Sequence, residues 1–321
     1  MASPLRLTLR QLQVFAAVAR GGSTSAAGAA IGLSQSATSA ALKELERMLG
    51  IPLFDRTGKR LLLNADGRAL LPRAQALLDG AAEIERQARG VGAALAALRV
   101  GASTTIGNYL LPRLLRRLWS DRPPGDAGPW HAQVRIGNTA EIAAAVADFS
   151  LDIGLIEGPC DDPRLETRPW LRDELLVVAA PRLHRRLTAH RPAGAAVPLQ
   201  VLREQVWLLR EAGSGTRAAT DLALLPQLHA WRRSIELGNS EAIKHAAAEG
   251  LGLACLSEWV VADLLAARRL QRVATTLPKM PRQCYFVLHR HKHHTHALDR
   301  LVALLHPAGR NENAQPRTVG R

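Results

Sequence analysis

The sequence predicts an α-rich N-terminal domain with a helix-turn-helix and a β-hairpin wing, then a long helix, then an α/β domain. Three observations predict it. Residues 9–49 show apolar positions at three- and four-residue spacing, in segments broken by glycine. An apolar seam then runs from Leu70 to Val91. From Ala97 to about Leu305, short apolar runs alternate with helical patterns, as in sheets covered by helices.

The first helix spans about Leu9 to Arg20, with Leu9, Leu12, Phe15, Ala16 and Ala19 on one face and Gly21-Gly22 as its stop. Ser23 or Thr24 caps a second helix through Ala26, Ala27, Ala30 and Ile31, and Gly32 allows a sharp turn. Ser34 caps a third, from Gln35 to about Leu49, ending at Gly50. Two helices joined through a short glycine-containing turn form a helix-turn-helix.

The third helix opens with Gln35, Ser36, Ala37, Thr38 and Ser39, where a surface helix usually carries Glu and Lys. Short polar groups let a helix sink into the major groove and reach base edges. Ser34, Gln35, Ser36, Thr38 and Ser39 are therefore candidate DNA contacts, and Lys43 joins them. Ala41, Leu42, Leu45 and Leu49 form the inner face. The run Leu53–Arg56, a Gly58 turn, Lys59-Arg60 and Leu61–Leu63 reads as a hairpin wing, with Arg56, Lys59 and Arg60 placed to hold phosphates. Residues 1–62 hold eight Lys/Arg against three Asp/Glu, so positive charge gathers where DNA would lie.

The long helix begins after Asn64. Leu70, Ala74, Leu77, Ala81, Ile84, Ala88 and Val91 recur at 4-3-4-3-4-3 spacing, which is a heptad seam. Beyond it, strands are expected at Ala97–Gly101, Val134–Ile136, Ile153–Ile156, Leu175–Ala179, Val206–Leu209, Ile235–Leu237, Leu253–Leu256 and Cys284–Leu288. Helices are expected at Ile106–Trp119, Thr139–Phe149 and Thr295–Leu305, and the sheets are expected to be parallel. Residues 307–321 lack apolar periodicity and read as a disordered tail.

Two strand-to-helix loops suit an anion. Ser103, Thr104 and Thr105 offer three hydroxyls beside free helix-end N–H groups. Gly213, Ser214, Gly215 and Thr216 form a second such loop, and its glycines let backbone N–H groups converge. Asn138 and Thr139, at another junction, are candidates for the same cleft. No fixed cation is required for such a site, because helix dipoles already favour negative charge. Glu157 is left out, since an unpaired acid repels an anion.

Other classes are disfavoured. A net charge of +14 points to a polyanionic partner, nucleic acid or acidic membrane. No stretch reaches about 18 uncharged apolar residues, so no membrane span is expected. Arg6, Arg10 and Gln11 interrupt the first apolar stretch, so no signal peptide is expected and the chain reads as cytoplasmic. Cys160, Cys255 and Cys284 lie far apart with no CxxC, which reads as three reduced thiols. Neither G-x-S-x-G, Walker A nor G-x-G-x-x-G occurs, so no enzyme, catalytic residue or cofactor is expected. The run HRHKHHTH, residues 289–296, reads as a solvated basic turn, with adventitious zinc or nickel binding as the other reading and no dedicated metal site expected.

The segments LRQLQVFAAVA, SQSATSAALKELERMLG and FDRTGKRLLLNADGRALL fall within residues 8–74, and this stretch resembles the winged helix-turn-helix of LysR-type transcriptional regulators without a gap. Three positions depart from the family pattern: Ser36 stands where Pro is usual, Ala40 where Arg is common, and Asn64 where Thr is usual. The resemblance implies a winged helix-turn-helix domain over 1–64 and a dimerising linker helix over 65–95. It also implies an α/β effector-binding domain over 96–306, whose two subdomains are similar to periplasmic binding proteins. The expected partners are double-stranded operator DNA, a small anionic effector and further copies of the chain as homodimer or homotetramer. RNA polymerase is a candidate partner, and no membrane is. GASTTIGNYLLP, LREAGSGTR and HAAAEGLGLACLS are similar to members sensing inorganic oxyanions or phosphorylated metabolites. The alternative weighed is a solute-binding protein with the same C-terminal fold and no regulatory role.

Overall fold

The computed structural model describes residues 6–58, 60–88, 98–120, 133–192 and 194–305. The N-terminal domain is built from α1 (Leu9–Gly21), α2 (Thr24–Ile31) and α3 (Gln35–Leu49), then β1 (Phe54–Thr57) and β2 (Arg60–Leu63). Thr8 and Gln11 close a capping box on α1, and Ser23 and Ser34 cap α2 and α3. Gly22, Gly32 and Gly50 end the three helices in the left-handed conformation. At Gly28 a Cβ would lie 2.6 Å from the Leu33 carbonyl and 2.9 Å from Thr38 Oγ1, so only glycine lets α2 approach the start of α3. Leu12, Phe15, Leu45 and Leu53 form the core, with Phe15 edge-on to Phe54.

The wing is an antiparallel pair in which Phe54 faces Leu63 and Thr57 faces Arg60. Gly58 takes φ +61 at its tip. The linker helix α4 (Ala65–Ala88) follows. Ala74 of the expected seam is buried, whereas Leu77 and Ile84 are 54% and 68% exposed. Val91 and the tail 307–321 lie outside the described residues.

The C-terminal domain opens with β3 (Arg99–Ser103), α5 (Thr104–Tyr109), α6 (Leu111–Ser120), β4 (Gln133–Gly137), α7 (Thr139–Ala147) and β5 (Ile153–Glu157). It continues with β6 (Leu165–Ala179), α8 (Pro181–Thr188), α9 (Leu199–Arg203), β7 (Trp207–Arg210) and α10 (Gly215–Leu228). Then come β8 (Ser234–Leu237), α11 (Ser240–Ala248), β9 (Leu253–Ser257), α12 (Glu258–Ala266), β10 (Gln271–Arg272), β11 (Met280–His289) and α13 (His296–Leu305).

Strands run in the order β4-β3-β5-β11-β6-β9-β7-β8, with β10 on β6. The outer trios are parallel where β3 meets β4 and β5, and where β7 meets β8 and β9. The expectation of parallel sheets throughout is corrected at the centre, where β11 lies antiparallel to β5 and β6, and β6 antiparallel to β9. The long strands β6 and β11 extend beyond Leu175–Ala179 and Cys284–Leu288 and join two subdomains. The first half of β6, Leu165–Asp173, alternates charge, Pro169 and Trp170, so it carries no apolar strand signature. The expected helix Ile106–Trp119 is two helices that part at Leu110. Pro112 cannot donate to a preceding turn, so a continuous helix is not available there. Each subdomain has apolar cores on both sheet faces, around Val100–Phe286 and Ile142–Val287 in the first and Trp207–Leu224 and Leu256–Val260 in the second.

Candidate DNA interface and effector cleft

The opening turn of α3 presents Gln35 and Ser36 to solvent, with Ser39 half-buried beside them. Gln35 Nε2 donates to Thr24 Oγ1 at 3.0 Å, which holds its amide over the turn between the two helices. Ser34 accepts from the Ala37 N–H and lies 3.0 Å from the Ser36 hydroxyl. Lys43, Arg56 and Arg60 are exposed. Lys59 lies outside the described residues. Thr38 is a correction: it is fully buried, and its hydroxyl donates to the Ser34 carbonyl at 2.9 Å. It packs inward against α2, so its role is helix packing and not base reading.

The second set of residues converges. Ser103 ends β3 and is buried, as is Thr105, and Thr104 begins α5 between them. Asn138 and Thr139 lie beside them, at the start of α7 just past β4, which pairs with β3, and the 213–216 loop lies at the start of α10. The loop meets the first subdomain directly, since Gly213 O accepts from the Ala140 N–H at 3.0 Å. A Cβ on Gly215 would lie 2.2 Å from the Glu157 carbonyl and 2.7 Å from Thr139 Oγ1, so this approach also demands glycine. Asn138 caps α7 by accepting from the Glu141 N–H and turns its amide to Glu211 at 3.4 Å. Thr139 donates to the Glu157 carbonyl at 3.2 Å.

Two cations that the sequence reading did not single out are built into this region, which corrects the expectation of a site without a fixed charge. Arg210 is buried at the end of β7, and its Nη1 donates to Thr104 Oγ1 at 2.7 Å and Ser240 Oγ at 3.0 Å. Its other nitrogens hold Glu211, both at 2.7 Å. Burial pushes the Glu211 carboxyl up, but these bonds outweigh it and hold the group below its ordinary range. Arg282, buried on β11, donates to Asp173 at 2.6 Å and Thr216 at 2.8 Å. Burial raises the Asp173 carboxyl, with Arg282 and the Ser257 hydroxyl opposing it. Arg282 Nη2 stands 3.9 Å from Glu157 Oε1, too far for a hydrogen bond. Buried Ser103 Oγ, Thr105 Oγ1, Glu157 Oε1 and Arg282 Nη2 all lack a hydrogen-bond partner. Isolated arginines in or beside apolar runs carry no motif, so no local signal marks them.

Arg217, at the edge of the same loop, is turned away into pairs with Asp221 and Glu236. The histidine-rich run is not wholly solvated, as His289 and Lys292 are buried while His291, His293, His294 and His296 are exposed. Among the described residues no group of three or more His, Cys, Asp or Glu could hold a metal. No helix among them is long and apolar enough to cross a membrane.

Two family models match the chain: LysR substrate binding domain over residues 94–310, and bacterial regulatory helix-turn-helix protein, lysR family, over residues 9–68. An uncharacterized HTH-type transcriptional regulator of Escherichia coli K12, YeiE, is 46% identical over 304 residues, covering 95% of this chain and 99% of that protein. The structure of a full-length OxyR variant from Pseudomonas aeruginosa superposes with a TM-score of 0.69 at 23% identity, over 94% of this chain and 95% of that one. The Synechocystis CcmR regulatory domain, in complex with 2-PG, superposes with a TM-score of 0.54 at 27% identity, over 65% of this chain and 97% of that one.

Proposed function

The chain belongs to the LysR family of bacterial transcription regulators, and we propose that its cleft takes a small oxyanion, either inorganic or the phosphate of a metabolite. It is a DNA-binding regulator with an effector-binding domain and not an enzyme. The alternative of a solute-binding protein without a regulatory role falls with the N-terminal helix-turn-helix match.

One observation carries the proposal. Ser103 Oγ, Thr105 Oγ1 and Arg282 Nη2 are buried without hydrogen-bond partners. An unsatisfied buried donor costs about 1–3 kcal/mol, more for a charged one, and on this reading a bound oxyanion supplies the acceptor these groups lack. Arg210 adds a buried positive charge on the opposite wall. Glu157 Oε1, also unpartnered, asks for a donor, which favours an oxyanion carrying a proton or a neighbouring hydroxyl. The CcmR domain, solved in complex with 2-PG, supports this ligand class.

On this reading the protein acts in the cytoplasm as a homodimer or homotetramer on operator DNA. Ser34, Gln35, Ser36 and Ser39 face bases, while Lys43, Arg56, Lys59 and Arg60 hold phosphates. Effector binding shifts the subdomains about β6 and β11 and changes how the oligomer holds its DNA.

The test is thermal unfolding of the full chain with sulfate, sulfite, phosphate or a phosphorylated sugar, against chloride at equal ionic strength. A ligand at a hundred times its Kd adds about 2.7 kcal/mol, a rise of a few degrees in Tm. A rise with only neutral or cationic metabolites overturns the oxyanion reading and leaves the DNA-binding assignment standing.

A further inference from the structure

The strands that bear the cleft residues at one end bear a second cluster at the other. β3 runs from Arg99 to Ser103, β5 follows Asp152 and ends at Glu157, and antiparallel β11 passes Arg282 and ends at His289. At this far end Asp152 accepts from the Arg99 backbone at 2.7 Å and pairs with its guanidinium at 2.6 Å. Lys292, just past β11, is buried; its Nζ lies 2.8 Å from Asp152 and also reaches Asp79 on the linker helix α4. Gln75, a turn earlier on α4, donates to the other Asp79 oxygen at 2.9 Å.

Beside this ion cluster stands Phe149. It follows α7 in the first subdomain, yet it is buried in the core of the N-terminal domain together with Leu71 and Ala74 of α4. Its φ is +62, the left-handed conformation in which glycine usually closes a helix. A bulky residue at that angle is strained, and the burial of its side chain offsets that cost. The His289 ring lies against it, tilted by 37° with centroids 4.0 Å apart.

We propose that Phe149 and the Lys292–Asp79 ion pair form a latch that makes the N-terminal domain, the linker helix and the first subdomain one body within a chain. The second subdomain then bears the movement about the shared strands. An apolar plug excludes water, and a buried ion pair beside it fixes register, because any slip strands a charge in an apolar place. A strain imposed at Ser103 or Glu157 reaches the latch through a single strand.

Two substitutions test the latch, each at a cost in stability, since one empties a buried aromatic site and the other removes a partner of a buried lysine. Asp79→Ala leaves Lys292, Asp152 and Arg99 paired among themselves. Phe149→Gly keeps the left-handed turn without strain. In the full chain, at fixed protein concentration, the native protein is expected to unfold its N-terminal domain and first subdomain in one thermal transition. The double variant is expected to separate them into two. Amide exchange along Leu71–Asp79 is expected to rise about tenfold with Asp79→Ala alone, the scale for loss of one charge-assisted contact. Protected amides in α3 of the N-terminal domain, α6 of the first subdomain and α10 of the second report that the variants are folded. Native exchange along α4 in both variants, or two separate transitions already in the native protein, overturns the latch.

Discussion

Arg210 and Thr104 stand on opposite walls of the cleft and meet across it, the guanidinium Nη1 donating to the hydroxyl at 2.7 Å. Arg210 closes β7 in the second subdomain and Thr104 opens α5 in the first. On the proposed reading, an oxyanion seated against Ser103 and Thr105 would compete for the same donor. Such an exchange of acceptors would link ligand binding to the relation between the subdomains.

Thr104→Val keeps the shape and deletes that acceptor, while Ser240 and Glu211 still hold Arg210. The oxyanion-induced rise in Tm is expected to shrink. Arg210→Met removes the charge and is expected to abolish the rise, with Kd weakened by about 1.5–3 kcal/mol or more. Titration of Tm against oxyanion concentration measures both, and an unchanged rise in Arg210→Met removes Arg210 from the site.

Gln35→Ala is expected to weaken binding to a selected operator fragment by about 1–3 kcal/mol and to spare random DNA. Arg60→Ala is expected to weaken both and to lower the slope of log K against log salt by about one. Gel shifts at several salt concentrations separate the two. Equal losses on both DNAs would take Gln35 out of the base-reading set.

Thr38→Val probes the correction in α3. The hydroxyl donates to the Ser34 carbonyl inside the domain, so its loss is expected to cost about 1 kcal/mol of stability. Sequence preference on DNA is expected to stay as it is. A change in preference without a change in Tm would return Thr38 to the groove.

Much of the N-terminal domain is legible from sequence because its signals are local. Gly22, Gly32 and Gly50 stop helices, Ser23 and Ser34 start them, and apolar spacing fixes the inner faces. Thr38 is misplaced because a short polar side chain suits either a groove or a close helix contact, and only Gly28 opposite it decides. The cleft loops are legible for a similar reason: each lies where a strand passes into a helix. Arg210 and Arg282 are not, since their burial depends on strands far apart in the chain. The antiparallel course of β11 beside β5 is equally non-local. Lys292 reads as surface in a histidine-rich run because its partners, Asp79 and Asp152, lie on other elements.

Leu77 and Ile84 project from one face of α4 with 54% and 68% of their surface exposed within a single chain. Leu77→Glu places a charge in the seam expected between two such helices, at a cost of several kcal/mol if the charge cannot reach water. The variant is expected to sediment as a smaller species at micromolar concentration and to lose operator affinity. An unchanged sedimentation coefficient would make this face ordinary surface.

The latch region gives the protein an acid-sensitive stability with a defined sign. Burial holds His289 at about 4, below its ordinary value of 6.5, with the positive charge of neighbouring His291, Arg164 and Lys292 acting the same way and Asp162 opposing. Between those two values the unfolded chain binds a proton that the folded chain refuses. Stability therefore rises with pH in this window and falls as pH drops through it, by at most about 1.4 kcal/mol per unit. Asp152 responds lower down: burial raises its carboxyl, but Arg99 and Lys292 together hold it below the ordinary range. Its contribution is present above the ordinary carboxylate range and is lost as pH falls beneath it. His289→Phe keeps a ring against Phe149 and removes the titration, at the constant cost of the acceptor for the His291 N–H. Urea unfolding of the variant is expected to give a flatter profile between pH 6.5 and 4 than the native chain, with the decline below that window intact. A native slope that survives in the variant would assign the acid sensitivity to a different group.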